Sequence, residues 1–277
     1  MVSYYLVTSS ESERNTGSFM KTATNKFSLA IVKKIVMSVT GLLMCVFLVT
    51  HLAGNLLMLL GKDEFNNYSH FLISLPIIVP AIEIALIVIL LIHIVEAVLL
   101  WQQNRAARPI AYEGGKTWAT SKSEKSKKNL SSTLMMWSGI IILIFIVLHV
   151  WMFKYGPYYS YSPGGGTSFV QAPAGSGLQS AGANLQVVPQ PQIRDLYRLV
   201  VENFKNPLIA ILYMLAMVVL GGHLYHAVWS SSQTLGATNN NWRRIMLWLG
   251  KAFAIVIAVG FFILPLWVYF FVNWTPQ

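Results

Sequence analysis

Charge is scarce in this sequence. Of 277 residues only 11% are charged, and Asp and Glu together number 10. Hydrophobic residues make up 55%, which is the composition of a membrane protein and excludes an ordinary soluble domain. Cysteine is reduced to Cys45 alone. One thiol excludes an intrachain disulfide, a thiolate metal cluster and a CxxCH haem attachment, so any haem here is held without covalent bonds. An apolar core near the start is also lacking. Residues 1–30 are polar, carry Lys21 and Lys26 near their end, and read as a partly ordered cytoplasmic extension rather than a cleavable signal peptide. The formal charge is +10, but the basic residues punctuate apolar runs instead of lining a soluble face. That placement argues against a nucleic-acid partner and makes the cations markers of membrane topology.

What is abundant is apolar length. Five stretches reach the roughly 20 residues that a membrane helix needs: about Ile35–Leu60, Ile77–Trp101, Leu134–Phe153, Pro207–Trp229 and Ile245–Phe271. All are expected to be helices, because lipid leaves no partner for unpaired backbone. The expected fold is an all-α bundle of five transmembrane helices over residues 31–277. Residues 1–34, the 102–132 loop and the 230–251 region hold 15 of the 20 Lys and Arg. The positive-inside rule therefore places the N-terminus and these segments in the cytoplasm. Lys62, Lys154, Arg194, Arg198 and Lys205 fall on the other side.

The outer loop, about 155–206, divides in two. GPYYSYSPGGGTSFVQAPAGSGLQSAGAN reads as irregular. QIRDLYRLVVENFKNP has apolar residues at Ile193, Leu196, Tyr197, Val200, Val201 and Phe204. That spacing predicts a short amphipathic helix on the outer surface, with Pro207 opening the next crossing.

Four histidines stand out, each alone in a different apolar stretch: His51, His93, His149 and His223. An ionisable side chain within a bilayer is costly and marks function. At about 1.5 Å of rise per residue, His51 lies about 24 Å and His149 about 22 Å from the inner ends of their helices. His93 and His223 each lie about 24 Å from the outer ends of theirs. The depths make two pairs, His51 with His149 near the outer side and His93 with His223 near the inner side. Two neutral imidazoles at one depth suit the two axial positions of a haem iron, and an iron filled in this way suits electron transfer. Proton relay and helix–helix hydrogen bonding are the alternatives for each histidine taken singly. His226 shares a face with His223 and is the runner-up ligand, with a quinone-facing role as its alternative.

A repeated detail accompanies the pairs. Thr40-Gly41 precedes His51, and Ser138-Gly139 precedes His149, by the same interval. Ten residues of helix are about 15 Å, which sets both glycines near the level of the other pair. Gly41 and Gly139 are expected to make room for the inner macrocycle, with the Thr40 and Ser138 hydroxyls close by. Gly221-Gly222 beside His223 would let a flat ring approach the backbone. Helix packing is the competing reason for all of these small residues.

The segments KKIVMSVTGLLMCVFLVTHLAGNLL, SHFLISLP, LIHIVEAV, SGIIILIFIVLHVW, DLYRLVVENFKNP and GGHLYHAVWSSSQTLG, in this order, closely resemble the cytochrome b membrane subunit of succinate dehydrogenase/fumarate reductase. The likeness runs from about Lys33 to Phe271. It is to the variant with one five-helix polypeptide and two haems b, and most of all to menaquinone-using bacteria related to Bacteroidetes. The resemblance implies a multi-pass protein of the bacterial cytoplasmic membrane in the respiratory chain. It implies two partners on the cytoplasmic face, a flavoprotein with FAD and an iron–sulfur subunit, in a complex whose oligomeric state stays open, a dimer or higher assembly being one form. It implies His51 and His149 as ligands of the outer haem, and His93 and His223 as ligands of the inner one. One family member has a glutamate two residues before the fourth ligand, used to move protons across the membrane. Gly221 stands there in this chain.

A quinone site needs an apolar slot, polar groups at the carbonyls and a proton route. Glu83, about 9 Å into the second crossing from its outer end, and His70, in the outer segment before it, are the candidates. Their alternatives are a helix–helix hydrogen bond and an interfacial loop position. Glu96 and Trp101 are weaker candidates near the inner surface. Two rival readings remain from the sequence. One is the cytochrome b of a hydrogenase or formate dehydrogenase; the other is a transporter with a histidine relay and no haem.

Overall fold

A computed structural model describes residues 30–106, 134–163, 167–170, 186–189, 192–236 and 240–273. The polar extension 1–29, the basic 107–133 segment, residues 171–185 of the Gly/Ser-rich loop, and Trp274 lie outside the described residues.

Five helices among the described residues are long and apolar enough to cross a membrane. They are α1 (Ala30–Leu59), α3 (Ile78–Ala106), α4 (Met135–Lys154), α6 (Pro207–Thr234) and α7 (Asn240–Phe271). They fall on the five expected stretches, and the chain is a mostly helical multi-pass membrane protein. Large apolar side chains such as Ile84, Leu91, Ile144, Trp151 and Leu215 stay exposed along them. Bilayer hydrocarbon is the medium that tolerates such a surface. Local chemistry fixes the ends. Pro207 opens α6, where its missing N–H has no partner to lose, and the Asn206 side chain accepts from the Leu208 N–H at 3.0 Å. Pro265 lies inside α7 and is fully buried.

Two shorter helices complete the set, α2 (Lys62–Ile73) and α5 (Leu196–Lys205). α5 covers the stretch whose apolar spacing was helical, and it buries Leu199, Val200, Val201 and Phe204. α2 corrects the sequence reading, which left residues 61–76 as outer loop. Gly61, at φ 134°, turns the chain after α1, and Asp63 and Glu64 sit in the first turn of α2. Acidic side chains there meet the positive end of the helix dipole. The stretch taken as irregular also contains strands. β1 (Ser160–Tyr161) pairs antiparallel with β4 (Ile193–Arg194), and β2 (Thr167–Val170) with β3 (Gln186–Pro189).

The chain divides into two compact units. The first comprises Met1–Cys45, Leu86–Met136 and His226–Gly250. Within it, α6 and α7 approach closely at Gly250, where a Cβ would meet Val228 Cγ1 at 3.2 Å. The second comprises Val46–Ala85, Trp137–Tyr225 and Lys251–Gln277. Its core joins Met58, Phe65, Val200, Val201, Phe204, Tyr213 and Val268. α6 and α7 also meet tightly here. A Cβ on Gly221 would lie 2.9 Å from the Ala258 Cβ, so helix packing demands glycine at this position.

α2 and α5 are tied by a buried polar node in the second unit. Asp195 caps α5, with Oδ1 accepting from the Arg198 N–H at 3.0 Å and from Asn66 Nδ2 at 2.9 Å. Its Oδ2 pairs with Lys62 Nζ at 2.8 Å. Asn66 in turn accepts from the Tyr197 N–H at 2.9 Å. Burial, and next the Asp195 charge, push the Tyr197 phenol above its ordinary range. Two cations assigned to the outer side by charge counting close helix ends. The Arg194 guanidinium donates to the Phe153 and Lys154 carbonyls at 3.1 and 3.3 Å, and Lys205 Nζ donates to the Tyr269 carbonyl at 2.9 Å. The last carbonyls of a helix lack partners within it, and cations satisfy both their lone pairs and the dipole.

Candidate functional site

The second unit brings His51 of α1 and His149 of α4 face to edge. Their ring centres are 5.7 Å apart and their planes lie at 89°. Both imidazoles are half-buried. Aromatic rings surround them. Phe47 stacks on His51 at 5.2 Å and Phe261 lies 5.6 Å from it. Phe145, Phe153 and Tyr213 stand 5.7, 5.3 and 6.0 Å from His149. This box escaped the sequence reading, although Phe47, Phe145 and Phe153 each sit four residues from a histidine, where helical side chains meet.

The polar contacts of the two rings are few. Asn55, one turn beyond His51, donates to the His51 carbonyl at 2.8 Å and lies 3.5 Å from Nε2. Nδ1 of His149 is buried without a hydrogen-bond partner among the described residues. A buried ring nitrogen in that condition is a group that a metal or an incoming donor satisfies.

His93 lies in the first unit, on α3, against α1. The Thr40 hydroxyl is 3.2 Å from its Nδ1. The same hydroxyl donates to the Val36 carbonyl at 2.8 Å, with the Met37 carbonyl at 3.1 Å. With its one proton spent within α1, the oxygen is free to accept from an Nδ1–H of His93. Gly41 faces the same ring, and a Cβ there would lie 3.3 Å from His93 Cε1.

His223 lies in the second unit, on α6, against α4. The Ser138 hydroxyl is 2.9 Å from its Nδ1, and a Cβ on Gly139 would lie 3.8 Å from its Cε1. The Thr40-Gly41 and Ser138-Gly139 pairs thus do one job twice. In each, a hydroxyl meets Nδ1 and a glycine lies beside Cε1, closely at Gly41 and at ordinary contact distance at Gly139. What lies against these glycines is an imidazole. A Cβ on Gly222 would meet nothing within 4 Å, whereas Gly221 is taken up by α7. His226 belongs to the first unit and is half-buried.

The acidic candidates separate. Glu83 of α3 is ion-paired with Lys154 of α4 at 2.5 Å, both side chains being partly exposed. His70 lies in the last turn of α2, not in a loop, and is exposed. Glu96, three residues after His93, keeps Oε2 buried with no partner among the described residues.

No cluster of three or more His, Cys, Asp or Glu that would hold a bare ion exists among the described residues. A facing couple of imidazoles suits an iron that brings in-plane ligands of its own. With a metal–nitrogen distance of about 2.0–2.1 Å, two axial imidazoles keep their ring centres about 6.3 Å apart. The 5.7 Å between His51 and His149 is about 0.6 Å short of that separation. His51 and His149 are the residues that would hold such a group. In comparisons with known proteins, no family model, no curated protein and no solved structure matches this chain.

Proposed function

We propose that the chain is the cytochrome b membrane-anchor subunit of a succinate:quinone oxidoreductase, working as succinate dehydrogenase or fumarate reductase in the bacterial cytoplasmic membrane. The observation that carries the reading is the His51–His149 couple, facing across an aromatic box. The motif-by-motif resemblance supplies the rest. His51 and His149 hold one haem b. His93 and His223, matched in depth by the sequence, serve the second. When bound, these groups supply one-electron relay between an iron–sulfur subunit and menaquinone. Dicarboxylate chemistry belongs to the FAD-bearing flavoprotein subunit. Both partners dock on the cytoplasmic face, toward the basic 102–132 loop, and the anchor itself meets lipid and quinone.

The chain's own contribution to the quinone half-reaction is proton handling. Lys154 lies five residues past His149 on α4, about 7.5 Å along the helix, and holds the Glu83 carboxylate. Glu83, with His70 as the second candidate, would exchange protons with a quinone carbonyl near the outer haem. Glu83→Gln keeps the size and removes the titration. It is expected to leave haem content intact and lower quinone turnover by about 100-fold, the usual weight of one acid–base group. Unchanged turnover would remove Glu83 from the quinone site.

The test of the function itself is co-purification. Affinity capture of the full chain from its native membrane should bring down a succinate-oxidising flavoprotein and an iron–sulfur protein, with succinate-dependent reduction of a menaquinone analogue. Capture of a hydrogenase or formate dehydrogenase large subunit instead would overturn the assignment.

A further inference from the structure

We propose that Thr40 and Ser138 are positioning residues for the haem ligands: each hydroxyl holds Nδ1 of an imidazole from another helix so that Nε2 is presented to iron. The inference rests on the haem reading and deepens it. At His93, Thr40 Oγ1 spends its hydrogen on the Val36 carbonyl at 2.8 Å, so it is free to accept the Nδ1–H of His93 across 3.2 Å. The Met37 carbonyl is a further acceptor beside the ring. A neutral imidazole protonated at Nδ1 has its lone pair on Nε2, the nitrogen left for a metal. At His223 the Ser138 oxygen stands at 2.9 Å from Nδ1, and by analogy with Thr40 it takes the same part.

At His93 a glycine makes the contact possible. A methyl group at Gly41 would stand 3.3 Å from His93 Cε1, tight enough to displace the ring from Thr40. Hydroxyl and glycine are adjacent, so one turn of helix both grips and clears the imidazole. The same dipeptide pattern recurs on α4 against His223. Two separate helix pairs arriving at one arrangement is the observation that sets a positioning role above chance packing.

The consequence is electronic. An Nδ1–H that donates to oxygen makes the imidazole a stronger donor through Nε2 and favours ferric over ferrous iron. Removing the acceptor favours the ferrous state and raises the midpoint potential. Outer-shell partners of metal-bound histidine carry effects of about 10–100-fold. A tenfold change in the ferric-to-ferrous balance reads as about 59 mV for one electron.

The experiment is a redox titration with EPR on the purified full complex, or the full chain in detergent, carrying Thr40→Val, Thr40→Ser, Ser138→Ala or no change, with haem counted per chain. Thr40→Val and Ser138→Ala should each raise one of the two midpoint potentials by about 59 mV, or lose that haem, and leave the other in place. Thr40→Ser restores the hydroxyl and should restore the wild-type potential and haem count. Haem retained with both potentials unmoved in Thr40→Val and Ser138→Ala overturns the positioning role and leaves the haem reading standing. Failure of Thr40→Ser to rescue also overturns it. A wild-type chain without haem overturns both together.

Discussion

Replacing His51 or His149 with alanine is expected to remove one haem of two and leave the other. On the proposed reading, His51 and His149 would each hold the same haem, and alanine at either position removes one of the two imidazoles. The rings nearest His51 and His149 are Phe47, Phe145, Phe153, Tyr213 and Phe261. None of the phenylalanines can coordinate, and the Tyr213 hydroxyl is turned to Met152 Sδ at 3.7 Å. The expected pyridine-haemochrome count is therefore about one haem per chain in either variant, with one low-spin EPR signal lost and the other unmoved. The double variant should lose no more than either single one, because the two residues act as a unit. Loss of different signals in the two single variants would separate the couple.

The second large effect is expected at a distance from the histidines. Asp195 is 3% exposed in its side chain and holds three donors, from Lys62, Asn66 and Arg198. Asp195→Ala strands the amide of Asn66, itself fully buried, and uncaps α5. A buried donor left unpaired costs about 1–3 kcal/mol and a lost cap about 1 kcal/mol more. A destabilisation of about 3 kcal/mol is expected, read as a lowered melting temperature of the detergent-solubilised protein. Asp195→Asn keeps the cap and loses only the pair with half-exposed Lys62, so its penalty should be about 1 kcal/mol. Equal loss in both variants would mean that the charge, not the cap and Asn66, carries the node. Haem content should survive both substitutions, since His51, His149 and His223 sit on α1, α4 and α6 rather than on α2 or α5.

The elements legible in the sequence were those with a strong period or a long apolar run. The five crossings fell where hydropathy put them, and the spacing of Val200, Val201 and Phe204 marked α5 correctly as helix. α2 was missed because KDEFNNYSHFLI is short and polar, and a search for membrane-length runs passes over it. Its signals were present: Gly61 before it, Asp63 and Glu64 in the first turn, and Phe65, Ser69 and Leu72 at helical intervals. The meeting of Asn66 with Asp195 joins residues 129 positions apart, and no local rule reports such a contact.

At the site, depth arithmetic brought His51 to His149 and set Thr40 and Ser138 near the right histidines. It did not give the direction of the Thr40 hydrogen bond, which depends on where that hydroxyl spends its proton. It also assigned Gly221 to a flat ring, whereas Ala258 leaves space there for nothing larger than hydrogen. Spacing along one helix measures height; it does not say which neighbour faces a given side.

The central claim, that imidazoles from α1 and α4 share one iron, is tested most directly by the optical and EPR spectra of the purified wild-type chain with haem counted. Two low-spin haems per chain, one of them abolished by His51→Ala and by His149→Ala alike, is the predicted result. A chain that folds, inserts and shows no Soret band would contradict it and leave a histidine relay as the reading of the same residues.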